Sequence, residues 1–159
     1  MYLNKKKIVI IAEVGVNHNG KISLAKKLIK EAKSAGTDFV KFQIFQPNEI
    51  TTRLNKKTNY QKKSGKKNET QLSMLKKYYL SQNQIKELQI YCKAVKVNFL
   101  ASVFDLESLK IYKSLNPKLI KVPSGEITNK PLLEKISKLR INTILSTGMS
   151  SNKEVRLAY

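Results

Sequence analysis

The chain has 159 residues, 41% of them apolar, which is enough for one ordinary domain with a core and too apolar for a disordered polymer. Its formal net charge is +20, but only Arg53, Arg140 and Arg156 among 31 basic residues are arginine, so lysines spread along every predicted helix read as a solvated surface rather than a specific nucleic-acid reader, which leans on the arginine fork. No apolar run reaches the roughly 18 residues of a membrane span, and the lone Cys92 excludes an internal disulfide.

Basic Met1 to Lys7 leads into Ile8 to Ala12, an apolar run too short for a signal core, so the chain is expected in the cytoplasm with no membrane partner. Lys7 to Val14 reads as a first strand with both faces buried, ending in Glu13 and the polar loop Gly15-Val16-Asn17-His18-Asn19-Gly20. Ser23 is placed to cap a helix with Leu24, Leu28, Ala32 and Ala35 on one face and Gly36 as its stop. In the second strand, Phe39 to Phe45, Val40, Phe42 and Ile44 point one way and Lys41 and Gln43 the other. Gln46 to Leu80 is irregular and lysine-rich, with a short helix expected over Glu69 to Tyr79 carrying Leu72 and Leu75 inward. Ser81 and Gln84 have capping-box spacing before a helix with Ile85, Leu88 and Cys92 on one face.

Phe99 to Phe104 is the third strand, and Asp105 caps a helix bearing Leu109, Tyr112 and Leu115. Leu119 to Pro123 is the fourth, leading into Ser124-Gly125-Glu126, where glycine is expected to permit a tight turn. Asn129 with Pro131 opens a helix through Leu132, Ile136 and Leu139. Thr143 to Ser146 is the fifth strand, followed by Thr147-Gly148-Met149 and a helix of about two turns capped by Ser151 or Asn152.

Strand and helix alternate five times, which means a parallel sheet with right-handed crossovers. A doubly wound open sheet and a (β/α) barrel both satisfy that order. No Gly-rich dinucleotide fingerprint follows the first strand, and polar groups collect at the ends of four strands, which favours the barrel. A complete barrel needs about 250 residues, so the fold class is α/β, an incomplete TIM barrel of about five β/α units.

The strand-end groups are Glu13, then Lys41 and Gln43, then Lys121, Ser124 and Glu126, then Ser146. Two lysines directed into a barrel mouth are costly unless an anion meets them. Hydroxyls beside Gly-rich turns suit phosphate or carboxylate oxygens. Glu13, Glu126 and Gln43 suit sugar hydroxyls or an amide, and a carboxylate can move a proton. His18, the only histidine, reads as a loop hydrogen-bonding residue and Cys92 as core; no metal site is assembled from these residues.

Four stretches, Ile11 to Gly20, Val40-Lys41-Phe42-Gln43, Lys121-Val122-Pro123-Ser124-Gly125-Glu126 and Ile144 to Met149, together resemble the sialic acid synthase family, the makers of N-acetylneuraminate and its bacterial relatives. The resemblance implies a TIM barrel that condenses phosphoenolpyruvate with an N-acetylated amino sugar and releases phosphate. It implies Glu13, Lys121 and Glu126 as catalytic residues and Lys41, Gln43, Ser124 and Ser146 as substrate-binding ones. Lys41, Lys121, Ser124 and Ser146 would surround phosphoenolpyruvate; Glu13, Gln43 and Glu126 would face the sugar, with Glu13 near its aldehyde. It also implies a divalent metal, manganese or magnesium, as Lewis acid, with histidine ligands on later strands that this chain does not carry. The family's C-terminal antifreeze-like domain, which acts within a homodimer, is not in these residues either. Residues 1–159 are therefore expected to be the N-terminal part of a truncated synthase barrel, inactive alone, with open sheet edges that favour self-association. The other readings are a different phosphoenolpyruvate-dependent synthase making 3-deoxy-sugar phosphates, and a non-catalytic basic binding module supported only by charge.

Overall fold

The computed structural model describes residues 8–52, 55 and 70–159; the lysine pairs of the long connection, Lys56-Lys57, Lys62-Lys63 and Lys66-Lys67, lie outside the described residues. Five strands are present there: β1 (Ile11–Gly15), β2 (Phe39–Ile44), β3 (Asn98–Val103), β4 (Leu119–Val122) and β5 (Asn142–Leu145). The helices are α1 (Ile22–Ser34), α2 (Pro47–Ile50), α3 (Gln71–Tyr78), α4 (Gln82–Ala94), α5 (Leu106–Ser114), α6 (Lys130–Ser137) and α7 (Asn152–Ala158), with a 3-10 turn at Ser124–Glu126. No helix among the described residues is long and apolar enough to cross a membrane.

The strands lie parallel in the order β1-β2-β3-β4-β5, the order of the sequence. A doubly wound sheet reverses its order at a switch point; this one never does. The two faces also differ. Val40, Phe42 and Ile44 share one core with Ala101, Val103, Ile120 and Val122 and with helix residues such as Ala25, Ile29, Leu88, Cys92, Leu109 and Leu132. The other face holds a separate cluster of Phe39, Leu100 and Leu119 with Val9, Ile11 and Ile144, to which no helix among the described residues contributes. Helices on one face and a strand-only layer on the other make the sheet an arc of a (β/α) barrel.

Register extends that layer upward. Glu13 pairs with Lys41, Gln43 with Ser102, and Ser102 with Lys121. Because side chains alternate along a strand, these polar residues share the inner face with Phe39, Leu100 and Leu119, one layer nearer the C-terminal ends. An apolar floor thus lies beneath a polar mouth. A groove of about 600 Å³ at the opposite end of the sheet, among Phe39, Phe99, Lys93 and Leu119, contains none of the mouth residues.

Local signals placed most helix starts. Ser81 and Gln84 form a reciprocal capping box, as do Ser151 and Glu154; Asp105 caps α5 and Asn129 caps α6. Ser23 does not cap α1, which begins two residues earlier than such a cap would set, with Lys21 at its N-cap and no side-chain bond there. Thr70 caps α3, whose buried members are Leu72 and Met74 rather than Leu75. β1 starts at Ile11, four residues later than expected, and Ile8 and Ile10 are exposed. Gly125 sits in the 3-10 turn with open space around it and no positive φ, so the turn does not depend on glycine.

The β3–β4 seam has one bridging pair, Ser102 with Lys121. Just below it the buried Tyr112 of α5 inserts its hydroxyl between the strands, donating to the Leu119 carbonyl at 2.9 Å and accepting from the Ala101 amide at 3.2 Å. The hydroxyl satisfies two backbone groups that the ladder leaves free.

The β1–α1 turn is packed tightly against α3. Gly20 has φ +72°, and a Cβ there would lie 2.3 Å from the Lys77 carbonyl oxygen. Gly20→Ala therefore adds a left-handed penalty to a backbone collision, and the expected loss is at least about 2 kcal/mol of unfolding free energy, read from urea denaturation. Wild-type stability in that variant would mean the turn and α3 are not in contact.

Candidate active site at the strand ends

Lys41 is the centre of the mouth. It leaves β2 on the inner face, its side chain 16% exposed, and its ammonium forms an ion pair with the Glu13 carboxylate of β1. The same ammonium donates to Ser102 Oγ at 3.3 Å, tying β1, β2 and β3 together. Glu13 and Gln43 approach each other over Gly15, where a Cβ would lie 3.0 Å from Glu13 Oε1 and 3.7 Å from Gln43 Nε2. Gly15 has φ +54° and lies where the β1–β2 register shifts, so the backbone turns beneath the two polar groups.

Lys121 stands on β4 in register with Ser102 and donates to the Val122 carbonyl at 2.7 Å. Its pKa is lowered, first by burial and then by the positive charge of Lys41; Glu13 opposes the shift. Two lysines therefore share a half-buried layer with one carboxylate, and that carboxylate is already engaged by Lys41. An excess of positive charge in a half-buried layer is an arrangement that suits an anionic ligand.

The turn after β4 brings the hydroxyls to this side. Ser124 Oγ lies 3.5 Å from the position of a Cβ on Gly148, so the β4 turn and the loop after β5 meet there. Ser146 continues β5 by one hydrogen bond, its amide donating to the Val122 carbonyl at 3.1 Å. Glu126 is fixed differently: its Oε2 accepts from Asn129 Nδ2 at 2.7 Å, and Asn129 Oδ1 accepts from the Leu132 amide at 3.2 Å. Glu126 is thus anchored to the start of α6, not to the lysine pair.

The structure adds Ser102, which stands within the otherwise apolar end of β3. It is 2% exposed and touches both registers of the mouth. The available signal was parity: in Leu100-Ala101-Ser102-Val103 the lone hydroxyl falls on the Leu100 face, which becomes the inner one once β3 is set beside Lys41.

His18 is a loop residue, as its neighbours suggest, but a fully buried one. Its Nδ1 accepts from the Gly20 amide at 3.0 Å and its ring lies 6.0 Å from that of Phe42. Burial lowers its pKa, while the Gly15 carbonyl acts in the opposite sense. A histidine with a depressed native pKa favours the neutral form, so its contribution to stability is complete above the unfolded value of 6.5 and is lost as pH falls through the native value. Urea midpoints are expected to be flat above about pH 6.5, to fall as pH drops from there to the native value, and to level off below it. The drop is expected to vanish in His18→Asn; its persistence would place the titrating group elsewhere. Cys92 is inert, its thiol pushed up to about 12 by burial.

The described residues do not by themselves fit the divalent metal that the resemblance implies. No three His, Cys, Asp or Glu side chains among them come together in a way that could hold an ion, and Glu13 is occupied by an ammonium.

The family model described as the NeuB family matches residues 28–159. The chain belongs to the NeuB family. Among curated relatives, it is 48% identical over 153 residues to the N,N'-diacetyllegionaminic acid synthase of Campylobacter jejuni subsp. jejuni serotype O:2, covering 96% of this chain and 46% of that protein. It is 38% identical over 150 residues to the N-acetylneuraminate-9-phosphate synthase of Drosophila melanogaster, covering 93% of this chain and 40% of that protein. A solved N-acetylneuraminic acid synthetase from Leptospira borgpetersenii serovar Hardjo-bovis, in complex with citrate, superimposes with a TM-score of 0.79 at 26% identity over 95% of this chain and 48% of its own. This NeuB chain thus spans less than half the length of the relatives it matches.

Proposed function

We propose that this chain carries the phosphoenolpyruvate-binding half of a NeuB-type synthase, which joins phosphoenolpyruvate to an N-acetylated amino sugar of the N-acetylmannosamine kind, forms a nonulosonic acid and releases phosphate. The observation that carries it is the pair of half-buried lysines, Lys41 and Lys121, facing a single carboxylate. Lys121, Ser124 and Ser146 supply a cation and hydroxyls for the phosphate end; Lys41, steadied by Ser102, supplies the second cation. These groups hold the trianion and neutralise its charge as the enol carbon attacks the sugar aldehyde. Water then adds at the phosphate-bearing carbon, the carbon–oxygen bond to phosphate breaks, and inorganic phosphate leaves. Glu13 and Gln43, meeting over Gly15, orient the sugar, with Glu13 placed to exchange a proton with the aldehyde oxygen; Glu126 faces the sugar from the α6 side. In this reading residues 1–159 are the N-terminal part of the synthase barrel and the metal ligands lie elsewhere in the protein. The chemistry belongs in the cytoplasm, consistent with a lone buried thiol.

Phosphate release from phosphoenolpyruvate, measured with and without amino sugar and manganese in the protein that carries this chain, tests the assignment. Glu13→Ala is expected to abolish sugar-dependent release while leaving the melting temperature near wild type. Wild-type release by Glu13→Ala would sink it. Offering the sugar with and without a phosphate ester separates the two kinds of synthase named among the relatives.

A further inference from the structure

Glu13 reaches Lys41 from a broken end of β1. The ladder slips between Glu13 and Gly15, and the carboxylate lies across the Gly15 backbone, 3.0 Å from where a Cβ would stand. The conformation of Gly15 therefore aims Glu13. The turn that follows is closed by backbone bonds from Asn17 to Val14, Asn19 to Val16 and Lys21 to His18. Of Val16 to Gly20, only His18 is buried, and it is buried completely.

As Nδ1 accepts from the Gly20 amide, the neutral ring carries its proton on Nε2; the Gly15 carbonyl favours that proton, but Nε2 forms no well-aligned hydrogen bond among the described residues. A buried donor without a well-aligned partner is costly. Closing the turn does not require that cost, since an asparagine oxygen also accepts from an amide two residues on. The imidazole does something an asparagine would not. It fills the space between the turn and Phe42, the outward neighbour of Lys41 and Gln43 on β2, and the Gly15 carbonyl interacts with it.

We propose that His18 is a positioning residue for Glu13: a neutral imidazole wedged between the β1–α1 turn and Phe42 that fixes the Gly15 backbone and so holds the Glu13 carboxylate on Lys41. The importance of that pair rests on the function proposed above, but the wedge itself is tested without turnover. His18 transmits its effect through Gly15 and does not touch substrate.

The chain has one histidine and one cysteine, which makes both side chains unambiguous probes. Long-range proton–nitrogen NMR of the wild-type imidazole is expected to show the single Nε2–H tautomer; an Nδ1–H tautomer, or the averaged pair of an exposed ring, overturns the proposal. Competitive acylation of lysines then reads the ion pair. In His18→Asn, which keeps an acceptor for Gly20, and in His18→Phe, which keeps a ring, Lys41 is expected to react about fivefold faster or more, because loss of an opposite charge frees the amine. Reaction of the buried Cys92 thiol reports global opening and is expected to stay within about twofold of wild type. Unchanged Lys41 reactivity in His18→Asn would make His18 a turn cap only. Parallel acceleration of Lys41 and Cys92 would make it a stability residue; either result overturns the positioning role. Neither outcome depends on whether phosphoenolpyruvate is the ligand.

Discussion

Replacing Lys121 with methionine is expected to weaken phosphoenolpyruvate binding and to stabilise the protein at the same time. The ammonium is held at a cost: burial and the Lys41 charge both lower its pKa. Methionine keeps the length of the side chain and removes that cost, so the melting temperature should stay the same or rise. Binding should move the other way. Removing one partner of a desolvated charge pair costs about 3 kcal/mol, or roughly a hundredfold in affinity. Titration calorimetry alongside thermal unfolding checks both signs. A fall in stability together with affinity would mean that Lys121 is structural, and full affinity would remove it from the site. The same variant in a turnover assay should abolish phosphate release.

Tyr112→Phe is expected to be the most damaging single-atom change in the described core. The hydroxyl bridges Ala101 and Leu119 where β3 and β4 share only one pairing. Its loss leaves a buried amide and a buried carbonyl without partners, a destabilisation of about 2–4 kcal/mol, or a fall of about 5–15 °C in melting temperature. Tyr91→Phe is the control. Tyr91 is partly buried and its ring faces Lys26 at 5.4 Å, a contact that phenylalanine retains. Near-equal effects in the two variants would show that the seam does not need the hydroxyl. Because Ser102 and Lys121 sit directly above it, Tyr112→Phe should also loosen anion binding, whereas Tyr91→Phe should not.

What was legible in the sequence was local or periodic. Alternation in β2 separated Lys41 and Gln43 from Val40, Phe42 and Ile44, and the faces of the sheet follow it. Caps at Ser81, Asp105 and Asn129 could be read because each bond spans three residues, and of the two candidates Ser151 and Asn152 it is Ser151 that caps the last helix. What was not legible joins distant parts of the chain. Ser102 became a site residue only when register set it beside Lys121. Tyr112 was correctly placed in the core by spacing, but its hydroxyl's task depends on a gap between strands that no helix pattern reveals. His18 was hidden by Asn17, Asn19 and Gly20, which suggest a solvated loop; it is buried, and its ring meets that of Phe42, 24 positions away. Gly20 is needed because of the Lys77 carbonyl, a contact across the long connection. Gly125 shows the reverse error, a glycine in a turn that any residue could make.

The proposed function stands on the polar mouth, with its two lysines and one carboxylate, receiving an anion of the phosphoenolpyruvate kind. The direct measurement is calorimetric titration of phosphoenolpyruvate into the wild-type chain, into Lys121→Met and into Lys41→Met. Saturable binding by wild type is expected, with each substitution weakening it by roughly a hundredfold. Equal binding by all three proteins, or binding no tighter than that of lactate at the same ionic strength, would contradict it.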